Sequence, residues 1–244
     1  MDKKRIASII IAVIIGISMI VSSALIANGI ANIKAKQNTI TVTGSAKKQI
    51  RSDLVKWSGS FSVQSQDLKD AYKQLKDSYD KVKQYLISKG LNEKDLIFSS
   101  ISTITNYEPL PNGMPSSKVQ SYRLVQTVEI TSTDVDKITE ISRQATELIN
   151  MGVQFESLPP QYYYTKIADL KVDMLGLATK DAKDRAEQIA KNTGIRIGNL
   201  KSARMGVFQI TPLYSTEVSD YGIYDTSSID KEITAVVTCE FEIK

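Results

Sequence analysis

From Ile6 to Ile33 the chain carries no charged side chain, and its densest apolar part, Ile6 to Ile26, reads IASIIIAVIIGISMIVSSALI. About 20 such residues cross a bilayer as a helix, because in hydrocarbon every backbone N–H and C=O must be satisfied within the segment. A cytoplasmic reading would make this run a buried core helix, which its apolar character on every face and its place at the extreme N-terminus oppose. Lys3, Lys4 and Arg5 precede the run, and Lys34 and Lys36 come after it. A short basic head stays inside and exports the rest of the chain. A cleaved signal peptide is the alternative, with Ser22-Ser23-Ala24 as the small-residue site. Signal-peptide apolar regions run only about 7–15 residues, so an uncleaved anchor is expected. The expected organisation is a cytoplasmic head over residues 1–5, an anchor and juxtamembrane segment over 6–33, and one extracytoplasmic domain over 38–244, whether periplasmic or at the cell surface.

The net charge of +4 arises from 31 basic and 27 acidic residues. Leaving out Asp2, Lys3, Lys4 and Arg5 leaves 28 basic against 26 acidic side chains, too near balance for a nucleic-acid-binding face. There is no histidine and one cysteine, Cys239. The commonest general base and metal ligand is therefore absent, and neither an intrachain disulfide nor a cysteine-based metal site can form. No cofactor or metal site is expected.

Periodicity supplies the elements. Ile40 and Val42 mark a strand over 38–45; Val55, Trp57, Gly59, Phe61 and Val63 share one face of a second, with Lys56, Ser58, Ser60 and Ser62 opposite. Leu68, Ala71, Tyr72, Leu75, Tyr79, Val82 and Leu86 fall at helical spacing, and Gly90 ends that helix. Residues 96–105 read as a strand. The Tyr107–Lys118 stretch, with three prolines and an Asn-Gly, reads as an irregular loop before a strand from Tyr122 to Ile130. Thr133-Asp134 opens a second helix that Gly152 closes; Val153 and Phe155 start a short strand stopped by Pro159-Pro160. A third helix runs from Thr165 to Asn192, with Tyr162-Tyr163-Tyr164 packing at its start and Ala178, Ala182, Ala186 and Ala190 along one stripe. Strands at 198–209 and 232–243 flank a polar, tyrosine-bearing loop over 211–230. The order ββαββαβαββ predicts an α+β fold, with a mixed, largely antiparallel sheet packed with three helices behind an N-terminal transmembrane helix.

Three segments carry a family resemblance. Ala178, Asp181, Ala182, Arg185, Ala186, Glu187, Ala190, Gly194 and Gly198 reproduce the spacing of the SIMPL domain signature. Ile40-Thr-Val-Thr-Gly-Ser45 resembles that family's opening strand, and Tyr122 to Ile130 with Asp134–Ile138 its central strand and helix start. The resemblance spans about residues 38–244. It implies an extracytoplasmic, oligomer-forming domain, linked in some members to envelope or oxidative-stress defence, and it brings no catalytic residues.

The remaining chemistry is sparse. Ser45–Lys48, Ser78–Lys81 and Ser228–Lys231 match Ser-x-x-Lys, but no Lys-Thr-Gly accompanies them. Asp181, Arg185 and Glu187 lie on the signature helix, as a subunit contact or as intrachain ion pairs, since residues four apart meet on one face. Tyr107, Tyr214, Tyr221 and Tyr224 sit among turn residues and suit a contact surface. The expected function is a non-enzymatic interaction module displayed at a membrane, self-associating or binding an envelope partner and no nucleic acid. A surface hydrolase or transferase using Ser, Lys or carboxylate chemistry is one alternative. A ligand-sensing ectodomain working with another membrane protein is the other.

Overall fold

A computed structural model describes residues 13–27, 38–111 and 114–244. Helix α1 covers residues 13–27. It is followed by β1 (Thr39–Arg51), β2 (Leu54–Ser65), α2 (Leu68–Ser88), β3 (Ile97–Phe98), β4 (Ser102–Pro109) and β5 (Pro115–Ser132). Then come α3 (Val135–Gln144), α4 (Glu147–Asn150), β6 (Gln154–Ser157), β7 (Gln161–Tyr163) and α5 (Ile167–Thr193). The chain ends with β8 (Ile197–Met205), β9 (Gln209–Pro212), β10 (Ile223–Tyr224) and β11 (Asp230–Ile243). The fold is α+β, but its strands form two sheets where one was expected. One runs β3-β5-β2-β6 with β4 on β5 and β7 on β2; the other runs β1-β11-β9-β10 with β8 on β11.

The chain divides into two compact units, one of Met1–Ala46, Asp173–Gly206 and Ala235–Lys244, the other of Lys47–Val172 and Val207–Thr234. In the larger unit β2 is the central strand, antiparallel to β5 along one edge and to β6 and β7 along the other. Its period of two is realised: Val55, Trp57, Phe61 and Val63 are all buried. The core they form includes Ala71, Leu75, Val82 and Leu86 of α2. Leu68 and Tyr72, expected on that stripe, stay exposed, and Ser78 takes a buried place with its hydroxyl donating to the Gln74 carbonyl at 3.0 Å. Gly59 has a packing reason. A Cβ there would lie 2.2 Å from Cζ of Phe155, so its absence lets that ring lie on β2. The buried Trp57 indole donates to Ser157 Oγ at 3.1 Å, which donates to the Ser142 carbonyl at 2.8 Å. Ser157→Ala will leave that indole N–H without its acceptor and cost about 1–3 kcal/mol, read from urea unfolding.

Several expected elements are subdivided. The 96–105 strand breaks into β3 and β4, and the second helix breaks at Ala145 into α3 and α4. The proline-rich stretch is more regular than expected. Pairing with β5 carries β4 to Pro109 through register shifts on either side of Tyr107. Bulges of this kind are where an edge strand tolerates proline. Of the tyrosines placed at the start of the third helix, Tyr162 and Tyr163 instead lie in β7, where Tyr162 opposes Val55. The 211–230 loop contains β10, paired parallel to β9.

In the smaller unit, α5 buries Met174, Ala178, Ala182, Ala186 and Ala190. Ile189, one residue off that stripe, is exposed. β11 buries Val237, Cys239 and Phe241 and pairs antiparallel with β8. Thr39 bonds to Glu240 and Thr43 to Thr238, so β1 runs antiparallel to β11. Among the described residues no helix is long and apolar enough to cross a membrane. The ends of the expected anchor, residues 6–12 and 28–33, lie outside the described residues, as does the expected head.

Candidate functional site

The signature residues of α5 meet the signature residues of β1. A Cβ on Gly44 would lie 2.2 Å from the Ala178 carbonyl oxygen and 2.3 Å from the Ala182 nitrogen. A bare backbone on the strand and small side chains on the helix therefore bring the two main chains together. One residue on, the Ser45 N–H donates to Asp181 Oδ2 at 2.8 Å, and the same oxygen lies 2.8 Å from Arg185 Nε. The Ser45 bond first, and then Arg185, hold the Asp181 carboxyl below the ordinary carboxylate value. Glu187 turns away to Lys183 at 3.7 Å. Arg185 also lines an open groove with Val42, Gln188 and Ile189.

The expected tyrosines lie in the larger unit. Tyr107 is on β4 and Tyr224 on β10, both exposed, while Tyr214 and Tyr221 are 87% and 97% exposed. The segment bearing Tyr214 and Tyr221 is pinned. The buried Gln209 side chain donates to the Ser219 carbonyl at 2.7 Å and accepts from the Ser219 N–H at 3.4 Å. Tyr214 adopts φ of 64°, a conformation costly for a residue with a Cβ.

A buried lysine, met in the sequence only as the end of a Ser-x-x-Lys match, anchors the same loop. Lys231 is 1% exposed. Its ammonium donates to the Tyr162 carbonyl at 2.7 Å and to the Asp225 carbonyl, with the Asp225 carboxylate at 4.0 Å. Burial pushes its pKa down, opposed by Asp225. Burial acts to raise the Asp225 carboxyl, but the hydrogen bonds from Ser227 and Ser228, with the charge of Lys231, outweigh it and leave it below its ordinary value. The signal lies in the pattern, since Lys231 has the parity of the buried Ile233 and Ala235. Of the Ser-x-x-Lys lysines, Lys81 bonds to the Met151 carbonyl, and Lys231 is taken up by the two carbonyls of its cluster.

Glu240 also lies below its ordinary value, held there by the Thr39 and Ser202 hydroxyls. A carboxylate whose folded pKa is depressed stabilises the fold above its unfolded value and loses that contribution as pH falls. Urea midpoints will therefore hold steady down to about pH 5 and fall as pH drops through the ordinary values of 4.5 for Glu240 and 3.8 for Asp181 and Asp225. Asp181→Asn will flatten part of that fall.

The sequence profile of the SIMPL family, described as a protein of unknown function (DUF541), matches residues 40–241, and the chain belongs to that family. It is also similar to the Uncharacterized protein YggE of Edwardsiella ictaluri (strain 93-146), at 23% identity over 176 residues, which covers 71% of this chain and 70% of that protein.

Proposed function

We propose that this SIMPL protein is a non-enzymatic binding domain held at the outer side of a membrane by its N-terminal segment. The supporting observation is α1, on which Val13, Ile14, Ile15, Ile17, Met19, Ile20, Val21, Leu25 and Ile26 are each more than half exposed, with apolar side chains all round the helix. A helix so clothed is at home in lipid rather than in water. Its 15 described residues fall short of the roughly 20 that span a bilayer, and the uncharged sequence continues through residues 6–12 and 28–33. Lys3, Lys4 and Arg5 favour an N-terminus inside and a domain outside. Binding would run through the pinned tyrosine loop and the Asp181–Arg185 face of α5. Self-association through the outer edge of β8, which pairs only with β11 among the described strands, belongs to the same proposal, as does a part in envelope or oxidative-stress defence.

Membrane fractionation with protease treatment of intact spheroplasts tests the reading. The expected result is full-length protein in the membrane fraction and a C-terminal region cleaved from outside. Intact protein in the cytosol, or a C-terminal region shielded in whole spheroplasts, sinks it. Light scattering on the detergent-solubilised chain tests self-association, which a strictly monomeric particle across micromolar concentrations would exclude.

A further inference from the structure

In the larger unit, the face of β2 opposite Trp57 and Phe61 carries Ser60 and Ser62. Across from them on β6 stand Glu156 and Gln154 in register, while Arg123 of β5 stands opposite Gln64. Ser60, Ser62, Arg123, Gln154 and Glu156 line one concavity of about 360 Å³, with Ile149 as its apolar side. That volume lies within the range of small-ligand sites, roughly 300–1,000 Å³.

The polar groups here are unspent. Arg123 makes one side-chain hydrogen bond, to Ser62 Oγ at 3.3 Å, and no ion pair; the Glu156 carboxylate, the Gln154 side-chain amide and the Ser60 hydroxyl have no side-chain partner among the described residues. On the same sheet Lys56 and Glu129 do pair, at 2.7 Å. Opposite charges held apart in one groove complement a ligand with a carboxylate at one end and an ammonium at the other. A guanidinium takes a carboxylate through two parallel hydrogen bonds. The register sets the length. The guanidinium reaches Ser62 and Glu156 stands beside Ser60, two residues or about 6.6 Å along the strand and one strand, about 4.8 Å, across it, a diagonal of about 8 Å. An extended dipeptide spans about 7 Å. The two serine hydroxyls and the Gln154 amide are left to bond its peptide group.

We propose that this groove binds a short zwitterionic peptide, Arg123 taking its terminal carboxylate and Glu156 its terminal ammonium. The test is titration calorimetry of the full chain in detergent micelles with L-alanyl-L-alanine, its N-acetyl derivative and its C-terminal amide. The free dipeptide will bind saturably, and Arg123→Gln and Glu156→Gln will each weaken it about tenfold, the size expected for a charge-assisted hydrogen bond. Both side chains are exposed, so both variants will keep the parental melting temperature. Losses at the same end will not add: the N-acetyl derivative will bind Glu156→Gln as it binds the parent, and the amide likewise for Arg123→Gln. Absence of saturable binding, equal affinity for the blocked forms, or a neutral disaccharide that competes as well as the dipeptide overturns the proposal.

Discussion

Replacing Gly44 by alanine will lower the melting temperature by about 6–12 °C, a loss of about 3 kcal/mol in a chain of this length. The new Cβ would meet backbone on two sides, 2.2 Å from the Ala178 carbonyl oxygen and 2.7 Å from the Ala182 Cα. Main-chain atoms inside a hydrogen-bonded helix cannot swing away as a lysine tip can, so the whole of α5 has to retreat from β1. That retreat stretches the Ser45–Asp181 hydrogen bond and opens the row of buried alanines. Gly176 is the control. It lies inside the same helix with nothing within 4 Å of its Cβ position. Gly176→Ala will stabilise by about 0.5–1 kcal/mol, because only the conformational freedom of the unfolded chain changes. Thermal melts of both variants decide the matter. An unchanged melting temperature for Gly44→Ala would show that the strand and helix do not touch at this point.

Lys231→Met will cost about 3–5 kcal/mol, the usual penalty for removing one partner of a buried charged cluster. Methionine fills much the same volume, so the loss reports on polar groups rather than on a cavity. The Tyr162 and Asp225 carbonyls lose their donor, while the Asp225 carboxylate keeps Ser227 and Ser228. Linkage gives a second readout. The folded Lys231 has a depressed pKa, so near its ordinary value of 10.5 the unfolded chain binds more protons than the folded one. Its contribution to stability therefore rises with pH in the window just below 10.5, and the difference between parent and Lys231→Met will widen there. A difference that stays flat or narrows would show that this ammonium is not buried.

The strands are the most readable part of the sequence, because one buried face forces alternation. β2 and β11 show it along most of their length, and Val55, Trp57, Phe61 and Val63, expected on one face of β2, are buried. Helix ends are readable for the same local reason. Asp134 accepts from the Lys137 N–H, and Gly90, Gly152 and Gly194 take φ of 81°, 80° and 74°. The hidden features depend on partners distant in sequence. The break between β3 and β4, the strand made by Gln161–Tyr163 and the division into two sheets each arise from pairing that no local pattern encodes. Lys231 is hidden differently. Its parity is correct, but a lysine reads as solvated until a loop is seen to bring two carbonyls and a carboxylate to it. Spacing alone places Asp181 and Arg185 on one helix face, while the bond from Ser45 that joins them to β1 needs the fold.

Cys239, the one cysteine of the chain, is fully buried in β11, and burial raises its thiol pKa. A thiol so placed is inert while the strand is paired and reacts once the strand opens. The protein therefore carries its own clock for local opening. The rate at which a maleimide labels the untouched chain will time how often its C-terminal strand breathes.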